Sequence, residues 1–101
     1  MILYMYCLRD IKADVFGSPV FVPSAGGFIR DLQDQVNSPS ADSMLYKHPA
    51  DFHLMKLGTF DNVKGAFDLL PLPDFVLDCG SLAVSQGGSD ATVAPVASIS
   101  S

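Results

Sequence analysis

Two histidines, two cysteines and a scatter of aspartates are the groups in this chain with side chains suited to catalysis or metal binding. His48 and His53 lie five apart, and with Cys7, Cys79 and Asp51 they could in principle form a tetrahedral zinc site. The spacing argues against it, because the sequence holds no Cys-x-x-Cys, no second close ligand pair and no His-Glu-x-x-His. His48 is expected to cap a turn and His53 to sit on a solvated strand face. A Ser or Cys nucleophile would need a positioned base, and no Gly-x-Ser-x-Gly elbow is present. Asp31 and Asp34 could hold magnesium or act as acid and base, but on a helix surface such a pair ordinarily solvates. Gly26-Gly27 lacks the Gly-Lys-Ser or Gly-x-Gly-x-x-Gly frame that brings several N–H groups onto a phosphate. No catalytic residue, metal ligand or cofactor site is therefore expected.

Single-strand recognition makes a different demand, for exposed rings beside a few cations. Tyr4, Tyr6, Phe52 and Phe60 could stack bases, and Arg9, Lys12, Lys56 and Lys64 could meet phosphates. The competing role for the rings is to pack a helix onto a sheet, which a small domain needs from its large apolar side chains.

The elements that must position these groups fit one domain. At 101 residues a split would leave halves too small to bury a core, and 49% hydrophobic against 17% charged residues excludes a wholly disordered chain. Six basic against eleven acidic residues give a net charge of −5, which speaks against a duplex-binding surface. Every acid is Asp, a residue suited to turns and helix starts. The apolar opening Met1–Leu8 is too short to span a membrane and follows no basic stretch, so a soluble, unexported chain with reduced, buried thiols is expected.

Ile2–Leu8 lacks alternation and reads as a central strand covered on both faces. Arg9 to Ser18 reads as a polar connector, and Val20–Val22, flanked by Pro19 and Pro23, as a short edge strand. Ser24 is a candidate N-cap for a helix whose apolar face is Phe28, Ile29, Leu32 and Val36; Gly26 and Gly27 weaken its first turn and place its start nearer Phe28. After Asn37-Ser38-Pro39 come a helical turn at Met44–Lys47, a tight turn at Pro49–Asp51 and a strand from Phe52, with a bulge or bend at Gly58. Asp61–Gly65 has the residues of a hairpin loop, and Ala66–Leu70 should return antiparallel. Pro71 and Pro73 should stop that ladder, leaving Phe75–Leu77 as a separate short strand. Residues 81–101, with Asp90 their only charge and no aromatic, are expected to be a mobile Ser/Gly/Ala-rich tail whose removal leaves stability unchanged. The fold class expected is α+β: a three- to four-stranded, mainly antiparallel sheet with one helix on one face, spanning residues 1–80. Its short edge strands offer a route to a homo-oligomer.

The stretch MLYKHPADFHLMKLGTFD at Met44 to Asp61 resembles the small nonstructural protein of gokushovirus-type microviruses, single-stranded DNA phages. The opening YMYCLRDIKADVFGSPVFVPS is similar to the start of the same family, and the likeness runs in order over roughly residues 1–80. His48, Pro49, Asp51, Phe52, Leu57, Gly58, Phe60 and Asp61 carry its most specific part. The resemblance implies a non-capsid phage protein in the bacterial host cytoplasm, with a role in the switch to single-strand synthesis and packaging. It implies single-stranded DNA or phage and host replication and packaging proteins as partners, and no enzyme activity. The alternative is a protein-interaction adaptor that never touches nucleic acid. The motif residues themselves read as determinants of turn and core: Pro49 and Gly58 shape the backbone, and Phe52 and Phe60 bury area.

Overall fold

In the computed structural model, which describes residues 1–84, a single antiparallel sheet is built around the opening strand. Strand β1 (Ile2–Asp10) pairs along its length with β4 (Phe52–Asp61), which pairs in turn with β5 (Ala66–Asp78). The other side of β1 is shared by two short strands, β2 (Val15–Phe16) against Arg9 and Asp10, and β3 (Val20–Val22) against Tyr4 to Tyr6. The expected α+β class and the central place of β1 are therefore present, with five strands where both short ones are counted.

Helix α1 (Ala25–Asn37) lies on one face. Its core consists of Leu32 and Val36 against Tyr6, Leu54 and Cys79, with Phe28 and Ile29 packed at the margin. Those are the positions that 3.6-residue spacing selects. The helix starts at Ala25 rather than near Phe28, because Ser24 Oγ accepts from Gly27 N at 3.2 Å and so satisfies one donor of the glycine-weakened turn. A short helix α2 (Met44–Lys47) and a 3-10 turn (Pro49–Asp51) then lead into β4.

Two expectations fail in physically instructive ways. The segment after Arg9 is no plain connector: Asp10 Oδ1 accepts from Lys12 N and Ala13 N, both at 3.0 Å, and folds the chain back so that Val15 and Phe16 rejoin β1. Pro71 and Pro73 interrupt the ladder as expected, since residues 70–73 have no partner in β4, but they do not end the strand. They fall in a register shift, where Lys56 pairs with Asp74 and Gly58 with Leu69, on a strand whose far side is a sheet edge needing no N–H donor. Phe75–Leu77 thus continues β5.

Gly58 is the bend foreseen at that position. Both β1 and β5 shift register beside it, its φ is +153°, and an added Cβ would collide with the carbonyl oxygen of Asp68. The Asp61–Gly65 loop closes as expected, with Gly65 N donating to Asp61 O at 2.7 Å. Regular structure continues past residue 80 in a 3-10 turn (Cys79–Leu82) whose Leu82 packs against the helix-side core. The rest of the expected tail, residues 85–101, lies outside the described residues.

Candidate functional site

Alternation along each strand sorts the candidate residues by face. Tyr4, Tyr6 and Leu8 of β1 point toward the helix, where Tyr6 stacks on Phe28 with ring centroids 5.6 Å apart. Burial, and secondarily Tyr4, pushes the Tyr6 phenol above its usual range. Phe52 joins the same core. Three of the four rings considered for base stacking therefore do the packing job instead.

The cations do not converge. Lys56 pairs in register with Tyr6 on the helix side, and its Nζ sits 5.7 Å from the centroid of the Tyr4 ring. Arg9 points through the opposite face, where its guanidinium lies 5.6 Å over Phe16 and is paired to Asp14; its Nε is buried without a hydrogen-bond partner. Asp14 adopts φ +57°, a conformation an Asp tolerates in a tight turn. Lys12 lies in the turn after β1, whereas Lys64 lies in the β4–β5 hairpin, beyond the other end of the ladder. No continuous cationic track joins the four.

The motif residues have structural duties. His48 N donates to Met44 O at 2.8 Å and His48 O accepts from Asp51 N at 3.0 Å, so this residue joins α2 to the Pro49–Asp51 turn. The Asp51 carbonyl accepts from Ile11 N at 2.9 Å, tying that turn to the end of β1. Leu57 is the bulged residue skipped by both neighbouring strands, and Asp61 Oδ1 accepts from Val63 N and Lys64 N in the hairpin. His53 is half-buried on its strand face and meets Phe75 edge-on at 5.0 Å. Asp31 and Asp34 are exposed on α1.

Among the described residues no group of three His, Cys, Asp or Glu is placed to hold a metal ion. Cys7 and Cys79 are free and buried. Burial, reinforced by the Asp78 carboxylate, pushes the Cys79 thiol up to about 11, and burial raises Cys7 as well, so neither is poised as a thiolate at neutral pH. A groove of 260 Å³ between α1 and the β2–β3 segment is lined by Cys7, Leu8, Val20, Phe28, Leu32 and Gln35.

The feature that sequence reasoning missed is the sheet face opposite the helix. By register it carries Leu3, Met5, Cys7 and Arg9 from β1, Phe16 from β2, Phe21 from β3, His53, Met55 and Phe60 from β4, and Phe67, Leu69 and Phe75 from β5. Phe60 and Phe67 lie 4.7 Å apart between centroids, and Phe21 meets Phe60 at 5.8 Å. Met5, Cys7 and Met55 are buried at the centre, yet Phe16, Phe21, Phe67, Leu69 and Phe75 remain between 45% and 61% exposed. A signal was available: Phe67 and Leu69 alternate with Asp68, and the hairpin loop sets Phe60 opposite Phe67.

Comparison with known protein families decides the kinship. The model of the phage ORF5 protein family matches residues 3–82, which is most of the chain and nearly all of its described part. The chain belongs to the phage ORF5 protein family. No curated protein and no solved structure matches it significantly. The ORF5 match ends at Leu82, the last residue of the 3-10 turn that packs on α1. This ORF5 protein is accordingly a phage accessory protein, and among its described residues no helix is long and apolar enough to cross a membrane.

Proposed function

We propose that this ORF5 protein is a non-enzymatic, nonstructural factor of a gokushovirus-type microvirus, acting in the host cytoplasm in viral single-stranded DNA synthesis or genome packaging. It works by protein contacts made through the phenylalanine face of its sheet. The likeness of the His48–Asp61 stretch to the microvirus protein supports the role. The observation that carries the mode of action is the ring of half-exposed Phe16, Phe21, Phe67, Leu69 and Phe75 around a buried centre, since clustered exposed phenylalanines on a small protein ordinarily mark a contact surface.

Direct contact with single-stranded DNA is the second reading, favoured by exposed phenyl rings, which can stack bases on an open sheet. It lacks cations: Arg9 is engaged by Asp14, and Lys56 lies on the helix side. Fluorescence anisotropy of a labelled single-stranded oligonucleotide, titrated at low and moderate salt, separates the two. Protein contact predicts no binding at micromolar protein even at low salt. Salt-weakened micromolar binding that exceeds duplex binding and is lost in Phe67→Asp would instead assign the face to DNA. A phage carrying a stop codon in this gene should accumulate double-stranded replicative DNA and lose packaged single-stranded genomes; normal genome yield would refute the role.

A further inference from the structure

We propose that the phenylalanine face is covered by the same face of a second copy of this chain, two sheets stacking into a two-fold sandwich. The inference rests on the reading of this face as a protein-contact surface and names its partner. A sheet with two apolar faces needs two covers: α1 supplies one, whereas on the other face the central Met5, Cys7 and Met55 are buried and Phe16, Phe21, Phe67, Leu69 and Phe75 around them are about half exposed.

Area is the first argument. A phenylalanine presents roughly 200 Å², so five side chains about half exposed leave roughly 500 Å² uncovered per copy. Two copies would together remove about 1,000 Å² of apolar surface, near the lower bound for a stable, specific interface, before half-buried Leu3 and Phe60 are included.

Charge is the second. Each copy carries a net charge of −5, so approach through an arbitrary surface is opposed. The strands sort their charges by face, however: Asp10, Lys56, Asp61, Asp68 and Asp74 all register on the helix side. The phenylalanine face keeps Arg9, already matched by Asp14, together with His53 and Asp78, whose Oδ1 is occupied by Gly80 N at 2.7 Å. Two such faces meet without a block of like charge, whereas a nucleic-acid strand would find no unengaged lysine or arginine there.

The sheet edges point the same way. Pro71 and Pro73 lie on β5, and Pro19 and Pro23 flank β3, so both edges are poor templates for strand addition between copies. Stacking through the face is the remaining route to a symmetric pair, in which each substitution counts twice.

Sedimentation velocity of the full chain between about 1 and 100 µM tests this. The expected mass is twice the 10.8 kDa of one chain, falling toward one chain on dilution. Leu69→Asp, at a position 61% exposed and therefore tolerable to the fold, should raise the dissociation constant by roughly 100-fold or more. Phe67→Asp should do the same, with far-UV circular dichroism unchanged in both. Val63→Asp, at the hairpin tip and 81% exposed, should leave the pair intact. A chain monomeric throughout that range overturns the proposal, as does a dimer that both face variants leave undisturbed. If the chain is monomeric and the oligonucleotide titration is also blank, self-pairing fails while the protein-contact reading stands; oligonucleotide binding lost in Phe67→Asp sinks that reading itself.

Discussion

The side-chain amide of Asn37, at the end of α1, donates through Nδ2 to the carbonyl of Leu82 at 2.9 Å. Its Oδ1 accepts from Val84 N at 2.8 Å, so one residue clasps the chain beyond β5 from both sides. Leu82 itself packs into the helix-side core.

Two truncations should therefore differ. A chain cut after Gly80 loses the Leu82 packing and both bonds to Asn37, and should be about 2 kcal/mol less stable than one cut after Val84. Thermal melts monitored at 222 nm should place the shorter form roughly 10 °C lower. Equal melting temperatures would mean that the clasp contributes nothing, as composition alone suggests for residues 81–101.

Leu32→Asp should abolish folding. Leu32 is 2% exposed at the contact between α1 and the sheet, and an unpaired carboxylate there costs about 4 kcal/mol or more, a large share of a small domain's stability. Circular dichroism and a urea titration read this directly; a cooperative transition near that of the parent would refute the placement.

The glycines of the β4–β5 hairpin separate strain from collision. Gly65→Ala meets only the unfavourable φ of +67°, with open space around the added methyl, and should lose about 1 kcal/mol. Gly58→Ala adds a clash with the β5 backbone at Asp68 and Leu69 and should lose about 3 kcal/mol or more. Urea midpoints for the two should fall in that order.

Alkaline stability should follow Cys79. In the unfolded chain its thiol ionises near 9.0, while in the folded chain it holds its proton to about 11. Stability from this group is thus full below about pH 8 and declines as pH rises from 9 to 11, because the unfolded state sheds the proton first. Urea midpoints at pH 7, 9 and 10.5 should show the decline. Cys79→Ala should make it shallower, leaving the smaller contributions of Cys7 and Tyr6, which shift in the same direction.

The helix is legible in the sequence because Leu32 and Val36 repeat at helical spacing behind a serine cap, and the first hairpin partner of β4 because Asp61–Gly65 is short and turn-rich. The continuation of β5 is not, since local propensity makes Pro71 and Pro73 breakers; an unpaired stretch of a strand at the sheet edge makes them harmless. The helix-side role of Tyr4 and Tyr6 against the open-side role of Phe67 and Phe75 is likewise hidden. It depends on inter-strand register, and one skipped residue at Leu57 exchanges the faces for everything beyond it.

That skipped residue also constrains how this family can vary in length. Leu57 absorbs the register shifts of β1 and β5 at nearly the same level of the sheet and Gly58 is held against β5, so loss of Thr59 just beyond them would turn Phe60 inward against two partners at once. Insertions in the Asn62–Lys64 tip disturb neither ladder. Divergent members should therefore differ in length at that tip and keep the interval from Phe52 to Asp61 at constant length, with the proline-bearing arm of β5 free to drift in sequence so long as it stays at the margin.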